Sequence, residues 1–436
     1  MLSTADNEML TQVGKGTPMG ELMRRYWLPI MPVEELGGPD CDPQRFRLLG
    51  EDLIVFRDSK GDVGVFSETC PHRGASLFYG RNEEGGLRCV YHGWKYDVTG
   101  QCVDQPNEPG DSNFKDKIRA WAYRGAVHGG VVWAYLGEGE LPGLPDFEWT
   151  AMPEEQRNFS LAQRACNWMQ GLEGDIDTSH LFFLHGRLDP GASVATGVWH
   201  NDKHPTLEVV PTKYGVVYGA NREENEETTY WRITQFLFPI FTFFPAAADG
   251  TVPGHIWVPM DDHHTMVWTV SWHPTKSIAD RRRFGTLGAA THPAGELLPD
   301  TAGPLGRFRP RANRKNDYEI DRTLQRTETF TGISTVFLQD QAVTESMGPV
   351  QNRSIEHLGR SDGMIIQVRR RLLNAAKALH YDNVTPPCVE NPEWYRVRSA
   401  IGTLPKGESW YEQMHDWLYA KVNEPPALEL AYPHSR

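Results

Sequence analysis

The chain has 436 residues, which at about 150 residues per domain leaves room for two to three domains and excludes a small stapled module. Its 44 Lys plus Arg stand against 57 Asp plus Glu, a net charge of −13 that argues against a nucleic-acid partner, because a phosphate-binding surface is basic. Six cysteines are too few for a disulfide framework in a chain of this length and are read as ligands wherever they cluster.

The opening segment predicts a helix over Glu8 to Val13, a glycine-bearing loop over Gly14 to Thr17 and a second helix over Pro18 to Trp27, with Thr17 as N-cap and Pro18 in the first turn. Gly14-Lys15-Gly16 follows no strand and lacks phosphate-loop spacing, so it reads as a turn. From about Arg45 to Gly137 short β-type runs follow, among them Asp52 to Phe56, Val63 to Phe66, Leu87 to Tyr91 and Gly130 to Leu136. Gly, Asp and Asn turns separate them, the pattern of a small all-β domain. Leu141 to Pro145 reads as a linker. A helical segment, Ala165 to His185, then precedes strands over Leu207 to Val210, Gly215 to Ala220, Thr228 to Phe238, His255 to Val258 and Thr265 to Trp272, the last two joined by a hairpin turn at Asp261 to His264. Ala279 to Asn316, rich in Arg, Gly and Pro, is expected to form a surface loop or flap. Helices are expected at Ile333 to Met347, closed by Gly348-Pro349, at Asp362 to Leu379 and at Trp394 to Ile401. Strands flanked by helices imply an α+β fold with an antiparallel sheet. The longest apolar stretch, Phe236 to Ala248, is broken by Pro239 and Pro245 and falls short of the ~18 residues that span a bilayer. With Asp6 and Glu8 close to the start there is no signal-peptide pattern, and the expectation is a soluble, cytoplasmic protein with no membrane partner.

Two Cys/His pairs, Cys70-Pro71-His72 and Cys89-Val90-Tyr91-His92, are each short enough for one tight loop, and Gly74 and Gly93 allow the backbone to turn close to a metal. Tetrahedral zinc accepts such ligands. Zinc modules, however, usually pair Cys with Cys and His with His, whereas one of each per loop suits a [2Fe–2S] cluster with both cysteines on one iron and both histidines on the other. Cys41, Cys102, Cys166 and Cys388 have no partner at ligand spacing and read as buried fillers. A second group lies in Asn167 to His185. Asp177 and His180 are three apart, neighbours on a helix, so the carboxylate can orient the imidazole. His180 and His185 are five apart, about 140° around an ideal helix, so one ion takes both only if the helix breaks between them.

Cys70-Pro-His-Arg-Gly74 with Cys89-Val-Tyr-His-Gly-Trp-Lys-Tyr96 resembles the two cluster loops of Rieske proteins. Asp177-x-x-His180-x4-His185 downstream is similar to the iron motif of Rieske non-haem iron oxygenases, in which two histidines and a carboxylate form a facial triad. Gly16 to Trp27, Tyr230-Trp231-Arg232 and Gln339 to Gly348 look like the phthalate dioxygenase branch, which also contains aryl O-demethylases. The resemblance implies an all-β Rieske [2Fe–2S] domain over 28–145 and a helix-grip catalytic domain over 146–436, to which residues 1–27 contribute a helical segment. It implies Cys70, His72, Cys89 and His92 as cluster ligands and His180, His185 and Asp340 as ligands of a mononuclear Fe(II), with Glu345 and Asp362 as reserves for the third. Asp177 is then the catalytic residue that links His180 to the cluster of a neighbouring subunit in a homotrimer or trimer-based hexamer.

The activity implied is hydroxylation or dihydroxylation of an aromatic compound with O2 and electrons from NADH. A separate reductase, carrying FMN and a plant-type [2Fe–2S] centre, is the implied partner, since this chain has no dinucleotide fingerprint. Arg73, Arg88 and Lys95 beside the cluster are candidates to dock it. Asn167, Gln170 and Ser179 are candidate polar groups of the substrate pocket, and Phe241 and Phe243, within Phe236 to Phe244, its aromatic wall. No Lys or Arg falls within Phe236 to Ala248, which favours an aromatic acid or aryl ether over phthalate. O-demethylation is the nearest rival; an electron carrier or a zinc-stabilised binding module are the readings from other classes.

Overall fold

The computed structural model describes residues 1–188, 203–245, 250–278 and 293–420. The expected flap therefore lies partly outside the described residues, at 279–292, as do positions 246–248 of the apolar stretch.

Two β units follow the N-terminal helices α1 (Thr4–Thr11) and α2 (Pro18–Met23). Thr17 caps α2 through the Gly20 N–H, with Pro18 in the first turn, as its sequence predicts; the helix stops at Met23. Trp27, expected to end that helix, instead opens a strand. In the first unit β1 (Trp27–Pro32), β2 (Gln44–Leu48), β3 (Glu51–Arg57), β4 (Val63–Ser67), β9 (Ala122–His128) and β10 (Val131–Tyr135) form an antiparallel sheet in the order β1-β10-β9-β4-β3-β2. The one-turn helix α3 (Val33–Leu36) follows β1, and a small second sheet holds β5 (Arg81–Glu83), β6 (Gly86–Arg88), β7 (Lys95–Tyr96) and β8 (Cys102–Asp104). Ile54, Phe56, Phe66, Leu77, Leu87, Trp94 and Tyr96 give this unit its own core, which includes Cys70 and Cys89.

The second unit is an antiparallel sheet of β11 (Arg157–Arg164), β12 (Thr206–Pro211), β13 (Gly215–Glu223), β14 (Thr228–Leu237), β15 (Phe241–Phe243), β16 (Val252–Pro259), β17 (Thr265–Trp272) and β18 (Ala400–Pro405). Its order is β11-β17-β16-β15-β14-β13-β12. Because β15 covers only the C-terminal end of β14, β18 pairs with the other end, Thr228 to Ile233. The helix expected over Trp394 to Ile401 is thus a short turn followed by this strand; the free edge of β14 outweighs local propensity. One sheet face carries α4 (Trp168–Asp175), α5 (Leu181–Leu184), α7 (Val336–Ser346) and the long helix α8 (Gly363–Asp382). A one-turn helix, α6 (Arg322–Thr327), precedes α7, and two more, α9 (Trp410–Gln413) and α10 (His415–Leu418), close the described chain. Helix α4 lies so close to the sheet that a Cβ on Gly171 would meet the Trp257 ring at 2.1 Å. Its Glu173 is clamped by Arg353 and Arg369 at 2.9 and 2.6 Å, which fixes α4 to α8.

The hairpin turn after β16 joins the two units. Leu49 and Gly50 donate backbone N–H groups to Pro259 and Met260, Arg47 pairs with Asp261 at 2.9 Å, and Asp262 accepts the N–H of Val13. Among the described residues no helix is long and apolar enough to cross a membrane.

Candidate metal centres

The first centre sits on two matching loops. Gly74 N–H donates to Cys70 O and Gly93 N–H to Cys89 O; Cys70 N–H reaches Ala75 O and Cys89 N–H reaches Trp94 O, all within 3.0 Å. Each loop closes through its glycine, at φ +77° for Gly74 and +78° for Gly93, a left-handed conformation costly for any side chain. The loops face each other: His72 and His92 have ring centroids 4.6 Å apart, and His72 stacks on Trp94 at 4.1 Å. Cys70 and Cys89 are 1 % and 3 % exposed, and burial, together with Cys70 nearby, pushes the Cys89 thiol up. His92 Nδ1 is buried without a hydrogen-bond partner among the described residues. A buried ring nitrogen left unpaired is costly, and metal ligation would satisfy it, so the donor set fits a Cys2His2-held group. Tyr96 adds a contact that no spacing rule foretold: its hydroxyl lies 3.3 Å from Cys70 Sγ, fully buried.

The second centre depends on a helix break. The expected single helix from Ala165 to His185 is two, because α4 ends at Asp175 and the Asp177 carboxylate accepts the Ser179 N–H at 2.7 Å, closing a turn that competes with further helix. His180 then occupies the position just before α5 and His185 the one just after it. This resolves the 140° objection, and the two Nε2 atoms come within 3.2 Å. Asp340 on α7 completes the group, its Oδ1 being 3.7 Å from His180 Nε2 and 3.4 Å from His185 Nε2. Three donors each about 2.1 Å from one ion, at angles of about 90–110°, lie about 3.0–3.4 Å apart; the two pairs that include His185 match this and the His180–Asp340 pair is slightly wider, so the triad fits a first-row metal after a small adjustment. Of the reserves, Glu345 is committed to Ala165 N–H, Gln341 and Tyr318, and Asp362 caps Gly359.

Both imidazoles are held from behind. Asp177 Oδ2 lies 3.4 Å from His180 Nδ1, and Gln339 Oε1 lies 2.7 Å from His185 Nδ1, which turns both Nε2 atoms toward Asp340. In the sequence Gln339 stands out only as part of the branch motif with Asp340, with no role of its own. Burial alone would raise the Asp340 carboxyl, but His185 and His180 hold it down to about 2. Burial likewise opposes the charged forms of Asp177 and His180, yet each favours the other's charged form, so the carboxyl goes down and the imidazole up.

The expected pocket residues are placed otherwise, except Ser179, which lies in the turn beside the triad. Asn167 is fully buried, donating to Thr11 O and Asp262 O and capping α4 through Met169 N–H. Gln170 ties α4 to Thr344 O, Gly348 O and Gln351 N–H. Both amides are spent on structure. Phe241 and Phe243 face away from the metal helices, packing on Phe147 at 4.7 and 5.9 Å; strand alternation turns Thr242 to the helix side. Arg88 and Lys95 are engaged with Glu83, Glu84 and Asp104, leaving Arg73 as the exposed base of the three.

Comparison with known proteins agrees with this architecture. The family model described as "Rieske [2Fe-2S] domain" matches residues 26–119 and that described as "LigXa C-terminal domain like" matches 134–432. The chain is 42 % identical over 442 residues to the 3-chlorobenzoate-3,4-dioxygenase oxygenase subunit of Comamonas testosteroni, covering 96 % of this chain and 100 % of that protein. It is 38 % identical over 443 residues to the phthalate 4,5-dioxygenase oxygenase subunit of Pseudomonas putida, covering 97 % and 98 %. The fold is shared with the crystal structure of dicamba monooxygenase, with a TM-score of 0.58 at 17 % identity over 82 % of this chain and 98 % of that one. The chain belongs to the Rieske non-haem iron oxygenases, as an oxygenase subunit of the aromatic-ring branch.

Proposed function

We propose that this chain is the oxygenase component that dihydroxylates an aromatic carboxylic acid, using O2 and electrons passed from NADH by a separate FMN and plant-type [2Fe–2S] reductase. The His180–His185–Asp340 group carries the reading, because an electron carrier or a zinc-stabilised module has no use for it. Full-length likeness to subunits named for 3-chlorobenzoate and phthalate supports a ring acid as substrate.

Cys70, His72, Cys89 and His92 would hold the [2Fe–2S] cluster, and His180, His185 and Asp340 would hold Fe(II). When bound, these groups supply single-electron relay and O2 activation. Asp177 fixes the His180 ring and, across a subunit boundary, hydrogen-bonds the cluster-ligand histidine of a neighbouring copy. Exposed apolar side chains support that packing. Val90 and Tyr91, 57 % and 55 % exposed, immediately precede His92, and Phe183 on α5 packs against Phe330, the two being 46 % and 45 % exposed.

Anaerobically purified protein is expected to contain about three irons per chain. Given reductase, NADH and O2, it should convert benzoates, chlorobenzoates or phthalates to dihydrodiols or their products. Zinc in place of iron would overturn the reading, as would formaldehyde release from methoxybenzoates as the sole activity.

A further inference from the structure

A polar cluster on the helix-bearing face of the larger sheet has no part in the roles above. Asp175, the last residue of α4, is 13 % exposed at its side chain and receives three donors from β15 and β16: Thr242 Oγ1 at 2.6 Å, His255 Nδ1 at 2.8 Å and Trp257 Nε1 at 3.1 Å. The His255 ring lies between Phe244 at 4.9 Å and Trp257 at 5.3 Å, with Phe337 at 6.4 Å. Phe337 is one helical turn before Asp340, and Asp175 is two residues before Asp177. The imidazole therefore touches the C-terminal end of α4 and lies beside α7, the helix that carries Asp340.

With a carboxylate behind it, Nδ1 serves as the N–H donor, and Nε2 is turned to the other side of the ring. The His255 side chain keeps 11 % of its surface exposed, and Nε2 has no hydrogen-bond partner among the described residues. An oriented polar atom in an otherwise aromatic wall is the pattern of a ligand-positioning group. Of the neighbouring cations on this face, Arg222 donates to Thr178, Arg232 to Pro245 O and Arg164 to Thr344 Oγ1, the Arg164 guanidinium also lying against Trp257 and Phe337.

We infer that His255 is the group that anchors the carboxyl of an aromatic acid beside the metal, with one proton held between Nε2 and a carboxyl oxygen and Asp175 as its positioning residue. This inference rests on the aromatic-acid reading above. It confines the anchor to one side of the ring, so the carbons oxidised are those that a single-point tether leaves facing the triad.

The test is calorimetric binding of 3-chlorobenzoate and of its methyl ester to the metal-loaded protein, anaerobically and without reductase. His255→Ala is expected to weaken the acid at least tenfold and the ester less than twofold, with iron content and visible spectrum unchanged. His255→Asn keeps a donor near the Nδ1 position but deletes Nε2, and the same selective loss is expected there. Asp175→Asn is expected to follow the pattern more weakly. Equal effects on acid and ester, or none, would overturn the anchor and leave His255 a strut between sheet and helix. If the wild type binds neither probe, the aromatic-acid reading itself fails and the anchor with it.

Discussion

Tyr96→Phe removes one hydroxyl and leaves the ring that packs in the cluster domain. That hydroxyl is 3.3 Å from Cys70 Sγ, where Tyr96 is 0 % and Cys70 1 % exposed. Burial first, and the neighbouring thiol second, hold the phenol well above its ordinary value, so it keeps its proton and donates when Cys70 ligates as thiolate. A reduced cluster carries one more electron, its sulfurs are stronger acceptors, and the O–H···S bond stabilises it more than the oxidised form. A hydrogen bond to a charged group contributes about 1.5–3 kcal/mol. Taking about 1 kcal/mol of that as the difference between redox states, and 59 mV per tenfold change for one electron, the midpoint potential should fall by roughly 40 mV in the variant. Spectroelectrochemical titration of the visible cluster bands measures this directly. A potential unchanged within about 10 mV, or one that rises, would refute the assignment of Tyr96 as donor to the cluster.

Asp177→Asn should retain about three irons per chain yet lose turnover by about 100-fold or more; coupled turnover near the wild-type rate would count against the inter-subunit bridge. Asp340→Ala should leave about two irons and an unaltered cluster spectrum, and full iron retention would show that the third ligand lies elsewhere. Glu173→Gln leaves Arg353 and Arg369 buried without their carboxylate and should cost about 3 kcal/mol, read as a lowered unfolding temperature. Although burial would raise it, the two guanidinium groups hold the Glu173 carboxyl below its ordinary value. Its contribution is therefore fully present above the unfolded-chain value of about 4.3 and lost as pH falls through the lower folded value. The gap between wild type and variant should close on acidification, and a gap constant down to about pH 3 would contradict the assignment.

Both cluster loops were legible because all the information lies within a few residues: Cys-x-His, Cys-x-x-His and a glycine that closes each turn. His180 and His185 were legible as residues but not as geometry, since only the Asp177 turn reveals that the helix breaks between α4 and α5. Asp340 joins them from far along the chain, and resemblance rather than spacing singled it out. Nothing local announces the Asp175–His255 contact, whose partners are 80 residues apart. Phe241 and Phe243 were misplaced as a pocket wall for a related reason. Both faces of that sheet are buried, so the run shows no polar alternation from which to tell the helix side from the other. Asn167 and Gln170 were placed near the metal by sequence proximity, yet buried amides are drawn to unpaired backbone groups, and α4 has such groups at its start.

The alternation in β15 bears on how this scaffold can be altered. A library that randomises 241–244 continuously would spend half its diversity at Phe241 and Phe243, where most replacements disrupt packing against Phe147, Tyr395 and Trp272. Restricted to Thr242 and Phe244 and extended to the next strand at His255, the same number of clones would sample the side of the sheet that carries α4 and α7. New substrate ranges are then reached by changing residues two apart, not adjacent ones.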